Sequence, residues 1–182
     1  MARRRPALAL CVPLALLAGL ALAGCSSNAA ASPASTRFYP AGSRPDAPDF
    51  GGPLLDGGSF QLATERGHVL VVNFWGSWCA TCRVEAADLE SVATATAAQG
   101  VVFIGVDAQD DKDQADAYVR AHQITYPSID DPGGRVALRF DSVPASAIPA
   151  TLVIDANGGI AAIHLGSVTR DELTDMIDKA SS

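Results

Sequence analysis

The chain has 182 residues, 48% of them hydrophobic, and a formal net charge of −7, enough for one domain with a core and some appendage. Removing residues 1–24 takes away three of the 13 basic residues and none of the 20 acidic ones, which leaves −10. So acidic a domain lacks the basic surface that neutralises phosphates, which argues against nucleic acid as a partner.

The chain opens with Arg3, Arg4 and Arg5, followed by an uncharged Leu/Ala-rich stretch from Pro6 to Ala23. This is the n-region and h-region pattern of a secretory signal over residues 1–24. A membrane anchor is the alternative, but Pro13 and Gly19 interrupt the stretch and no basic stop-transfer cluster follows. Its last residues, Leu22–Ala23–Gly24–Cys25, resemble a bacterial lipobox. The resemblance implies cleavage before Cys25, lipidation of its sulfur, and a place on the outer face of the bacterial cell membrane. Residues 25–47 are Ser-, Ala-, Pro- and Gly-rich and read as a flexible tether.

The domain is expected over residues 48–182. Phe50, Leu54–Leu55, Gly57–Gly58, Phe60 and Leu62 suggest an N-terminal β-hairpin. Val69–Trp75 is a nearly continuous apolar run and suits a strand buried on both faces. A helix follows from about Cys79 to Ala98, then a second buried strand over 101–107. Residues 111–122 read as an amphipathic helix, 126–129 as a short extended piece and 134–140 as a helical turn or two. Strands at 151–155 and 160–165 flank the turn signal Asn157–Gly158–Gly159. Thr169 and Glu172 form a capping box that opens a last helix, with Leu173, Met176 and Ile177 on one face. The order predicts an α/β fold, a mixed central sheet with helices on both faces.

Without residues 1–24 and a modified Cys25, Cys79 and Cys82 are the cysteines left to the domain. Two are too few for a disulfide scaffold or a four-thiolate zinc site. His68, His122 and His164 are scattered, and the acidic run Asp107, Asp110, Asp111, Asp113 reads as a solvated loop with a helix cap. No metal and no cofactor are assigned. Cys79–Ala80–Thr81–Cys82 stands where a buried strand gives way to a helix. There the helix N-terminus favours the Cys79 thiolate. Cys79 would attack a partner disulfide and Cys82, one turn on, would resolve the mixed disulfide. A structural disulfide stays open as the alternative.

The segment Asn73–Phe74–Trp75–Gly76–Ser77–Trp78–Cys79–Ala80–Thr81–Cys82–Arg83–Val84–Glu85 resembles the active-site segment of the thioredoxin-like family, in its TlpA/ResA/DsbE branch. Gly105–Val106–Asp107 and Ile148–Pro149–Ala150–Thr151 extend the likeness across residues 47–180. The resemblance implies a thioredoxin fold with an added hairpin and a central insertion over about 108–140. It implies that Pro149 is a cis-proline beside the cysteines, and that Trp78, Ile148 and Pro149 meet the substrate. It also matches Glu85 to an acidic residue of the active-site helix. Independently, Glu85, Leu89, Val92 and Thr96 share one helical face, which puts Glu85 at the edge of a buried stripe, where a raised pKa would suit proton exchange with Cys82. An exposed surface Glu is the other reading. Asn73 stands where ordinary thioredoxins have a buried Asp and cannot titrate.

The function expected is a thiol–disulfide oxidoreductase acting on exported proteins, as a reductant. Apocytochrome c as substrate and a membrane thiol carrier as electron donor are implied by the resemblance alone. An oxidase that installs disulfides and a lipid-anchored binding protein are the competing readings. Thr81 replaces the proline common before the second cysteine, so a relative's potential does not transfer. The Pro-x-x-x-Thr-x-x-Cys arrangement of peroxiredoxins is absent around Cys79. The segment 141–147 looks longer than is usual in the family.

Overall fold

The computed structural model describes residues 35–144 and 146–182. The expected signal sequence, Cys25 and the first part of the expected tether therefore lie outside the described residues.

The strands are β1 (Ser35–Phe38), β2 (Gly51–Pro53), β3 (Ser59–Gln61), β4 (Leu70–Trp75), β5 (Val102–Ala108), β6 (Ser128–Asp131), β7 (Ala150–Ile154) and β8 (Ile160–Leu165). The α-helices are α1 (Ala80–Thr96), α2 (Lys112–Ala121) and α3 (Arg170–Ala180). Six strands form one sheet in the order β1-β8-β7-β4-β5-β6, and β2 and β3 make a separate hairpin. The β4–β5 and β5–β6 pairs are parallel, whereas β4–β7, β7–β8 and β1–β8 are antiparallel. Every residue of β4 is buried, because β4 has a strand on each side and a layer on each face. That is why its sequence is a continuous apolar run instead of an alternation.

One face of the sheet packs Val71 and Phe103 against Leu89 and Val92 of α1 and Leu173, Met176 and Ile177 of α3. Trp75, on the same face, meets Ala86 of α1 and Ala115 and Tyr118 of α2. The opposite face carries Val72, Phe74, Ile104 and Val106. Phe50 and Phe60 of the hairpin region and Ala137 and Phe140 of a 3-10 turn cover it. Helices were expected on both faces. The structure instead places all three α-helices on one, because right-handed crossovers from β4 to β5 and on to β6 return on the same side. Gly105 leaves room for the Trp75 indole, since a Cβ there would lie 2.6 Å from Trp75 Nε1.

The tether reading of residues 25–47 fails over its second part. Ser35–Phe38 pairs with Ala162–Leu165 along the full length of β1. Arg44 Nη1 binds the Asp155 carboxylate at 2.9 Å and donates to the Ala180 carbonyl, while Nη2 donates to the Lys179 carbonyl. Ala47 is buried. β1 is an edge strand held by main-chain pairing, and none of its side chains is fully buried, so it has no apolar alternation to betray it. The central insertion forms α2, β6 and the turn at Ala137–Arg139. The last helix carries its capping box, with Thr169 and Glu172 bonded reciprocally.

Candidate active site

β4 ends at Trp75 and the chain turns through Gly76–Ser77–Trp78–Cys79, closed by the Cys79 N–H donating to the Gly76 carbonyl at 3.0 Å. Cys79 is then the N-cap of α1, and its Sγ accepts from the Cys82 N–H at 3.0 Å. The position explains the Cys-x-x-Cys spacing. A sulfur at the cap meets unpaired amides and the positive end of the helix, and the second sulfur one turn on is close enough to bond to it. Cys79 and Cys82 are joined as a disulfide, with Cα atoms 5.3 Å apart. Thr81 Oγ1 lies 3.3 Å from Cys79 Sγ.

The surroundings are asymmetric. Trp78 is 53% exposed beside a nearly covered disulfide, Cys79 at 4% and Cys82 at 1%. Ile148 packs against the cluster that holds both sulfurs, and the Ile148–Pro149 bond is cis. Three residues after Cys82 on α1 stands Glu85, expected at the rim of a buried stripe and in fact only 1% exposed. Its oxygens accept from the Asn73 amide and the Val168 N–H, each at 2.9 Å. Burial outweighs both bonds and raises the Glu85 carboxyl to about 7. Asn73 also donates to Thr151 Oγ1 at 3.1 Å. The non-titrating residue of β4 thus holds the titrating residue of α1.

Three contributors escape the sequence. Tyr118 donates to the Cys82 carbonyl at 2.9 Å and stacks on Trp75 with centroids 4.5 Å apart. Val168 reaches Glu85 from the loop before α3 through its backbone alone, which no side-chain pattern reports. Asp110 binds both the N–H and the hydroxyl of Ser77, whose carbonyl accepts from Arg83. A reading of the acidic run as a bound loop, with a nearby Ser77 as its donor, would have found it. Among the described residues no group of three or more His, Cys, Asp or Glu is placed to hold a metal ion. His164 is buried between Thr36 and the Ser167 carbonyl, far along the sequence from the cysteines.

A cysteine pair at the start of the first helix after a central strand, in a mixed sheet of this order, defines a thioredoxin-like thiol–disulfide oxidoreductase. Comparison with known proteins agrees. Residues 44–163 match the AhpC/TSA family, and the chain belongs to that family. The structure is similar to a DsbF homologue from Corynebacterium diphtheriae, with a TM-score of 0.74 and 36% identity, covering 79% of this chain and 91% of that one. A secreted thiol-disulfide isomerase from Corynebacterium glutamicum gives a TM-score of 0.74 at 34% identity, covering 79% and 92% of the two chains. The thiol:disulfide interchange protein HelX of Rhodobacter capsulatus is 34% identical over 113 residues, 62% of this chain. The chain spans 60% of HelX's length.

Proposed function

We propose that the protein reduces or exchanges disulfides in exported proteins, with Cys79 as attacker, Cys82 as resolver and Glu85 as proton partner of Cys82. The observation that carries this reading is the Cys79 sulfur at the cap of α1, with a buried carboxyl raised to about 7 on the same helix, three residues after Cys82. The reduced pair presents a thiolate that attacks a partner sulfur and forms a mixed disulfide. Cys82, starting as a thiol, must lose its proton before it attacks Cys79, and a carboxylate poised near neutrality accepts it. The partner's thiol leaves, and the Cys79–Cys82 disulfide remains, two electrons poorer than at the start. Trp78, Ile148 and Pro149 supply the surface that a substrate peptide meets. This role rests on the family resemblance and on the position of Ile148 against the sulfurs.

A lipid on Cys25 would hold the domain at the outer face of the membrane, with a membrane thiol carrier to restore its dithiol. The lipobox-like Leu22–Ala23–Gly24–Cys25 supports this. A cysteine pair of apocytochrome c is the substrate that the resemblance suggests. The test replaces Cys79 by Ser and measures reduction of insulin or of apocytochrome c. Undiminished activity would sink the reading. The direction of electron flow is read from the Cys79–Cys82 potential. A value near about −270 mV marks a reductant, and one near about −120 mV an oxidase.

A further inference from the structure

Asp107 is fully buried, and no donor among the described residues reaches either of its carboxylate oxygens. It lies on β5 opposite Trp75 of β4 and opposite Asp130 of β6. An ionised carboxylate in such a place goes without compensation, so the group takes a proton instead. Burial foremost, and after it the neighbouring carboxylates, Asp110 by charge and by a carboxyl–carboxylate hydrogen bond and then Asp130 and Asp116 by charge, together raise Asp107 to about 8. Those acids come from the loop after β5, from β6 and from α2, and all carry the same sign. A metal ion does not resolve the cluster, for no suitable group of ligands exists among the described residues.

A neutral Asp107 has an O–H to place, and Asp110 has room for it. An ionised carboxylate offers about four acceptor sites. Three of Asp110's are taken, by the Ser77 N–H, the Ser77 hydroxyl and the Asp111 N–H. Ser77 is the second residue of the turn that the Cys79 N–H closes on Gly76. We propose that Asp107 is a positioning residue for the attacking cysteine: as a neutral acid it donates to the fourth site of Asp110, and so holds Asp110 on Ser77 and fixes the turn that presents Cys79. The inference rests on the role proposed above for Cys79, but its test reads the thiol directly and needs no substrate.

The experiment compares wild type, Asp107→Asn and Asp107→Leu in the reduced full chain. It measures Cys79 alkylation by iodoacetamide across pH and the infrared band of a protonated carboxyl. Asn keeps a donor to Asp110 and cannot titrate; Leu keeps the volume and has no donor. Asp107→Asn is expected to match wild type in alkylation at neutral pH and to lose Asp107's share of the carboxyl band, while Glu85 keeps its own. Above pH 8, where wild-type Asp107 ionises, wild type should fall behind Asp107→Asn. Asp107→Leu should alkylate about tenfold slower at neutral pH, the rate equivalent of one charge-assisted hydrogen bond. A protonated-carboxyl band that is the same in wild type and Asp107→Asn at neutral pH would overturn the proposal. So would an Asp107→Asn profile that breaks at the same alkaline pH as wild type, or a folded Asp107→Leu that alkylates at the wild-type rate. If Asp107→Leu does not fold, the band and the Asn profile still decide. Failure of the Cys79→Ser test would remove the proposed function and leave these readings of the turn intact.

Discussion

Asn73 donates a hydrogen bond to Glu85 at 2.9 Å, and both side chains are buried. The bond stabilises the charged form of a carboxyl that burial pushes the other way. The titration of Glu85 near neutrality is thus a balance struck between β4 and α1. Replacing Asn73 by Ala removes a lowering influence, so the Glu85 transition should move further up. The pH dependence of Cys82 reactivity checks this, and Glu85→Gln should abolish the transition. A profile unchanged in both variants would separate Glu85 from the cysteine chemistry.

The same carboxyl makes folding depend on pH. Its folded value of about 7 exceeds the ordinary 4.5, so the folded state binds the proton more tightly than the unfolded one. The stability this confers is fully present below pH 4.5 and is lost as pH rises through about 7. The span corresponds to about 3 kcal/mol. Urea unfolding of wild type should therefore weaken over that window. Glu85→Gln should about halve the slope over that window, because Asp107, raised in the same sense to about 8, contributes across all of it and alone from pH 7 to 8.

Tyr118→Phe keeps the stack on Trp75 and removes the hydroxyl that caps the Cys82 carbonyl. The expected loss is about 1 kcal/mol. Tyr118→Ala also empties the space beside Trp75 and should cost about 3–5 kcal/mol. Chemical denaturation of the oxidised form measures both. Equal losses would mean that the hydroxyl, not the ring, carries Tyr118's contribution.

What the sequence revealed and what it hid follow one physical line. The strands 70–75, 102–108 and 150–154 were legible because burial on both faces demands continuous apolar runs. Cys79, Cys82 and the capping box at Thr169 were legible because their chemistry is local in sequence. β1 was hidden because an edge strand draws on main-chain bonds that any residue supplies. Val168, Tyr118 and Asp110 were hidden because each reaches the site across the fold, from 83, 36 and 33 residues away along the chain from its partner. Glu85 fell between the two. Its helical face was readable, but its complete burial depended on Asn73 and Val168 closing over it.

β1 and Arg44 give a further test. Arg44 and Asp155 form an ion pair whose side chains are only 10% and 9% exposed. Breaking a buried pair by removing one partner typically costs about 3–5 kcal/mol. A chain beginning at Pro48 should therefore be less stable than one beginning at Ser35 by at least that much, since it also loses β1. Arg44→Ala alone should recover a large share of the difference. Equal melting temperatures for the two lengths would restore residues 35–47 to the role of a tether.

Thr81 bears on the potential itself. Its hydroxyl lies 3.3 Å from Cys79 Sγ, and the Cys82 N–H lies 3.0 Å from the same atom. When the pair is reduced, both donors face the thiolate and lower its pKa. Thr81→Val keeps the shape and deletes one donor. Thr81 is exposed, so solvent screens and partly replaces the loss. A net effect of about 1 kcal/mol is the expected size. The Cys79 pKa should rise by somewhat less than about one unit. Because the reduced form loses the stabilisation and the disulfide does not, the potential should become more negative, by about 20 mV. Equilibration against glutathione measures the potential, and thiolate absorbance measures the pKa. A potential that moves positive while the pKa rises would contradict the assignment, since both depend on the same thiolate.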